Sequence, residues 1–196
     1  MVLEVKRVSS QAKINLEKAI KELNTKVGKV GWFEGNKYPA ERIYNGKGEH
    51  VGHRIPMPVA NVAHIHEFGA KEKNIPERPF IRPTVEKNKN NWRNFAKSDS
   101  KRILDGSTNA TDMFNKIGKH AVGQIKKKIE NIWSPPLKES TIRARMERYS
   151  SSSDLSPLTK KKRKSQLEKF VSTKFYKPLI DTRQMISTLI NVVEDE

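Results

Sequence analysis

Cysteine is absent from this 196-residue sequence, which excludes disulfides, thiolate metal sites and cysteine nucleophiles and fits an intracellular or assembly-borne setting at least as well as a secreted one. Long apolar runs are missing too. No stretch of about 18 apolar residues occurs, and MVLEVKRVSSQAKINLEKAI has no run resembling a signal peptide, so a soluble protein with no membrane partner is expected. There is no Gly-rich phosphate loop, no GxSxG elbow and no HExxH, and the carboxylates do not cluster as a two-metal centre requires. No enzyme activity and no cofactor are expected. With 35% apolar and 31% charged residues the chain is poor in core material, which suggests that part of it rests on partners.

Positive charge is plentiful. The net charge of +17 comes from 39 Lys and Arg less 22 Asp and Glu, spread as +8 over residues 1–100 (19 less 11) and +9 over residues 101–196 (20 less 11). Such a field favours acidic partners, either nucleic acid or an acidic protein surface. The length fits a single domain over residues 1–196, with residues 149–177 as a basic Ser/Lys-rich insertion or arm within it.

Apolar spacing sets out the elements. Leu16, Ala19, Ile20 and Leu23 form one stripe of a helix over residues 10–24, capped by Ser9 or Ser10. KVGKVGWFEG, residues 26–35, reads as a strand whose Gly28 and Gly31 admit a close neighbour. Residues 36–57 read as a patternless loop, a surface excursion or a partner-binding segment. A helix from Thr84, its cap, to a stop at Gly106 runs on Val85, Trp92, Phe95 and Ile103. Met113, Ile117, Val122, Ile125, Ile129 and Ile132 mark a second long helix ending at WSPP. LKESTIRARMER, residues 137–148, suits a short helix bearing Arg143, Arg145 and Arg148. A further helix begins at Ser156 and Pro157, and the chain closes with a turn, a short helix and a strand, Leu189–Val193. Trp92 and Trp133 lie in or beside helices and read as core or interface anchors.

In VANVAHIHEFG, Pro58 suits the first helical turn and Gly69 the position past the end, while Val59, Val62, Ala63 and His66 share one face. In that helix His64 and His66 point about 200° apart, so they do not share an ion and no metal site is expected; a strand would put them on one side, with His50 and His53 in the preceding loop. NIPERPFIRPT is held extended before each proline, at Ile75, Arg78 and Arg82. Its alternation buries Phe80 and presents Arg78 and Arg82, which makes it either a tether pinned by one aromatic residue or a docking strap whose arginines meet carboxylates. Five cations, Lys160, Lys161, Lys162, Arg163 and Lys164, crowd the positive end of the helix after Ser156, where an acidic partner or DNA would relieve them.

Three stretches together resemble the neck, or virion-morphogenesis, proteins of tailed bacteriophages, a family also described as a minor tail component. They are VGWFEG at 30–35; VAHIHEFG followed by IPERPFIRPT at 62–84; and WSPPLKESTIRARM followed by PLIDTRQMIST at 133–188. The resemblance implies an α+β domain, a small antiparallel sheet packed against several amphipathic helices with an extended proline-rich strap and the basic insertion. It implies a homo-oligomeric ring in the virion between a portal-side adaptor or connector protein and a tail terminator or tail-completion protein, around genomic DNA. It assigns His66, Glu67 and Phe68 to packing or subunit contact, Arg78, Phe80 and Arg82 to docking, with Arg143 and Arg145 at the interface, and Thr141 and Thr182 to capping. Arg183 stands where the family usually has glycine, so the turn there is made without a left-handed glycine. The competing expectation, from charge, is a sequence-independent nucleic-acid-binding protein.

Overall fold

A computed structural model describes residues 10–38, 40, 42–44, 50–53, 55–142, 145 and 177–195. The elements with defined bounds among them are α1 (Ser10–Thr25), β1 (Lys26–Gly31), β2 (Arg42–Tyr44), β3 (His50–His53), α2 (Val59–Phe68), a single 3-10 turn (Lys71–Lys73), α3 (Ile81–Leu104), α4 (Ala110–Glu130), α5 (Gln184–Ser187) and β4 (Ile190–Asp195), and residues 139–142 are helical too. The chain is α+β, with its strands in two antiparallel pairs, β1 with β4 and β2 with β3. It divides into two compact units, Met1–Gly31 with Thr84–Gln124 and Ile190–Glu196, and Trp32–Pro83 with Ile125–Leu189.

In the first unit β1 and β4 align from Lys26 opposite Asp195 to Gly31 opposite Ile190. The acids that follow the apolar part of β4 reach lysines across the pair, Lys26 to Asp195 at 2.7 Å and Lys29 to Glu194 at 2.5 Å. Gly28 gives its space to Phe114, whose ring would lie 3.3 Å from an added Cβ, while nothing approaches Gly31 within 4 Å, contrary to expectation. On α4, a Cβ at Gly118 would fall 2.7 Å from that of Asn191, so the helix backbone rests directly on β4. Ala19, Ile103, Ala110 and Met113 form the buried centre, with Leu23, Ala96, Phe114 and Ile117 against it. Three members of the expected stripes miss the core: Leu16, Ile20 and Val85 are exposed. The Trp92 indole donates to Gln124 at 2.9 Å.

The second unit departs from the sequence reading in three places. The segment read as a patternless loop contains the hairpin β2–β3, with Arg42 opposite His53 and a register shift after Ile43. Strands this short, among Gly, Asn and charge, carry no alternation to read. The strand at 26 stops at Gly31; Trp32 packs edge-on against Phe80, ring centres 5.8 Å apart, and donates to the Met185 carbonyl at 2.8 Å. Finally α3 begins at Ile81, not Thr84, so Arg82 and Pro83 are helical and Thr84 is a buried residue inside the helix rather than its cap. Proline is tolerated there because its missing N–H would have had no partner in the first turn.

Candidate functional site

The segment from α2 to the start of α3 folds back on one carboxylate. Pro58 opens α2 and Gly69, at φ 73°, ends it, which turns Val59, Ala63 and Glu67 inward on one face. Glu67, 2% exposed, accepts the backbone N–H groups of Phe80 at 2.7 Å and of Ile81 and Arg82 at 2.9 Å, and the Arg82 Nε at 3.2 Å. These are donors that a helix start leaves without intrahelical partners, and a negative charge there also meets the favourable end of the helix dipole. Burial alone would raise the Glu67 carboxyl; the N–H groups of Ile81, Arg82 and Phe80 and the Arg82 side chain hold it below the usual carboxylate range. Arg82 closes the clasp, with Nη2 on the Glu67 carbonyl at 2.7 Å and on the Glu77 carboxylate at 2.9 Å. Its guanidinium lies 4.8 Å from the centre of the Phe68 ring, which is half exposed and also meets His64.

Phe80 is fully buried, as its place in the motif implied. Arg78 is not presented outward: it is 4% exposed, with Nε on the Pro135 carbonyl at 2.8 Å and Nη2 on the Pro136 carbonyl at 3.0 Å. The prolines keep WSPP out of a helix, which frees successive carbonyls for the planar guanidinium fork. Arg78→Ala is therefore expected to destabilise the isolated protein by about 2 kcal/mol, the cost of two buried acceptors losing a charged donor, while Arg82→Ala, half in solvent, costs less; denaturant titration of the two variants separates them. Arg145, expected at an interface, is likewise buried, on the carbonyls of Pro178 at 2.8 Å, Lys177 at 3.1 Å and Ile180 at 3.3 Å, with the Asp181 carboxylate at 3.5 Å. Arg143 and the run from Lys160 to Lys164 lie outside the described residues.

His66 and the two buried arginines line one cleft of about 910 Å³. Burial, then the charges of Arg78 and Arg145, push the His66 imidazole down to about 4, so it is neutral at physiological pH. Its Nδ1 is buried without a hydrogen-bond partner among the described residues. His64 is exposed, as the helical reading required. Lys71, Lys73, Lys138 and Tyr38 also line this cleft. Sequence reasoning did not single them out, because an isolated surface lysine reads the same whether it faces bulk water or a concavity.

The turn before α5 is made at Arg183. Arg183 itself adopts the left-handed conformation, φ 59° and ψ 6°, with Thr182 Oγ1 accepting the Gln184 N–H at 3.4 Å. The geometry glycine usually supplies is thus kept by a residue that is strained in it. Arg183→Gly is expected to raise stability by about 0.5 to 1 kcal/mol, the relief of that strain less the extra freedom of an unfolded glycine, read as a higher denaturation midpoint. The cap assigned to Thr141 is not made: its N–H bonds the Lys138 carbonyl, which places it inside a turn already begun.

No family model matches the chain, and no solved structure does. An uncharacterized protein of Methanocaldococcus jannaschii is 64% identical over 25 residues, 13% of this chain and 18% of that protein. The chain thus spans less than a fifth of that relative's length, and the relative's name carries no activity.

Proposed function

We propose that the chain is a structural subunit of the neck of a tailed bacteriophage, a non-enzymatic ring component that joins the portal-side connector to the tail and surrounds the DNA channel. The observation that supports this reading best is how the motif charges are used. Glu67, Arg78 and Arg145 are buried and bonded largely to backbone groups of their own chain. Side chains satisfied in this way stiffen a scaffold and leave little capacity to bind and transform a substrate. Phe68, Ile55 and Trp133 remain exposed in the same unit, as partner contacts would require. Sequence-independent nucleic-acid binding rests on the positive charge alone.

Deleting the gene from the phage genome is the direct test. The expected result is DNA-filled or leaking heads and complete free tails that do not join, seen by electron microscopy; normal infectious particles would reject the neck reading.

A further inference from the structure

The cleft in the second unit has a chemistry that the clasp does not use. Its inner wall is aliphatic, from Val62, Ile75, Leu137, Leu179 and Met185, and Ile55 at its edge is 83% exposed. Six cations line it, Lys71, Lys73, Arg78, Lys138, Arg145 and Arg183, against a single carboxylate, that of Asp181, among the described residues. Arg78 adds an independent observation. It is a buried guanidinium whose hydrogen-bond acceptors are two proline carbonyls, dipoles that satisfy its N–H groups without cancelling its charge. A buried charge without a counter-charge is costly, and low-dielectric walls focus its field into the concavity. His66 lies in the same wall, its imidazole held neutral chiefly by burial and then by the charges of Arg78 and Arg145.

We propose that this cleft binds an extended acidic peptide segment of a partner protein, whose apolar side chains enter the aliphatic wall and whose carboxylates meet Lys71, Lys73, Lys138 and Arg183 at the rim. An anion seated there supplies a counter-charge that the described residues bonded to Arg78 do not. Peptide is favoured over nucleic acid because the wall is largely aliphatic, with Tyr38 and the mostly buried His66 imidazole the aromatic rings among the described lining residues; bases bind through exposed stacking platforms, which an aliphatic wall does not provide. Alternating side chains of an extended peptide match a surface that is apolar within and cationic at its edge. The volume lies in the range that encloses a small ligand or a few residues of chain. The inference deepens the neck reading by giving the partner's chemistry, but its test uses the isolated full chain and is decided independently of the gene deletion.

The probe is a fluorescein-labelled peptide of alternating leucine and glutamate, compared by fluorescence anisotropy with a leucine–glutamine peptide and with a thymidine oligonucleotide. Binding of the leucine–glutamate peptide is expected to weaken by roughly tenfold in Lys73→Gln with Lys138→Gln, the loss of two ion pairs at a rim, and to weaken also in Ile55→Ser. It is expected to be unchanged in Lys127→Gln with Lys128→Gln, which removes the same charge outside the cleft. Equal losses in the two lysine pairs would mean a general response to net charge and overturn the proposal. So would an oligonucleotide whose affinity depends on Lys73 and Lys138 while that of the peptide does not.

Discussion

Glu67→Ala is expected to cost about 4 kcal/mol, in the range found when one partner of a buried charged network is removed. The variant strands three backbone N–H groups at the start of α3 and an arginine nitrogen, and opens space where a side chain 2% exposed had been. Glu67→Gln keeps the volume and one acceptor oxygen but turns an NH₂ toward those donors, so it should fall between wild type and alanine. Amide hydrogen exchange gives the specific readout: protection at Phe80, Ile81 and Arg82 should drop in both variants beyond any global change. Unaltered protection at those three amides would mean that the carboxylate does not cap the helix.

The second large effect is the response to acid. His66 titrates near 4 when folded and near 6.5 when unfolded, so between these values the unfolded chain binds more protons and stability rises with pH. The contribution is complete above about 6.5 and is lost as pH falls to 4, for a total of about 3 kcal/mol at 1.36 kcal/mol per unit. Glu67 acts in the same direction at lower pH: its folded carboxyl lies below the ordinary range, so its contribution is present above the unfolded value near 4.5 and fades below it. Denaturation midpoints measured from pH 7 down to pH 4 should therefore fall steeply in the wild type and less steeply in His66→Gln, which removes the titrating group. Parallel curves would place the acid sensitivity elsewhere.

Much of this architecture could be read from residue spacing, and the exceptions have identifiable causes. The spans of α1, α2 and α4, and the Pro58 and Gly69 that bracket α2, are local and could be read from spacing, although half of the α1 stripe, Leu16 and Ile20, is exposed and the buried face of α2 takes in Glu67. The start of α3 was misplaced because the rule against helix before proline is an average, and in a first turn fixed by the Glu67 carboxylate the average loses. The burial of Arg78 could not be read from its neighbours, since its acceptors at Pro135 and Pro136 lie 57 and 58 residues further along. Arg145 is hidden for the same reason, by carbonyls more than 30 residues away. Phe80 is recognisable from its type and alternation, whereas the left-handed conformation of Arg183 is visible only in the backbone.

The pairing of β1 with β4 bears on the order in which the chain is built. Lys26–Gly31 and Ile190–Asp195 are partners separated by most of the sequence, and the whole second unit lies between them in the chain. Among the described strands β1 pairs only with β4, which leaves the ribosome after every other described element. The second unit has all its segments before β4 appears and is free to assemble first. Closing the β1–β4 pair of the first unit joins residues far apart in sequence and so carries a large loop-closure entropy. Until β4 is made, no described strand covers the edge of β1, and Lys26 and Lys29 give it like charges that discourage association with another nascent chain before Asp195 and Glu194 arrive to neutralise them.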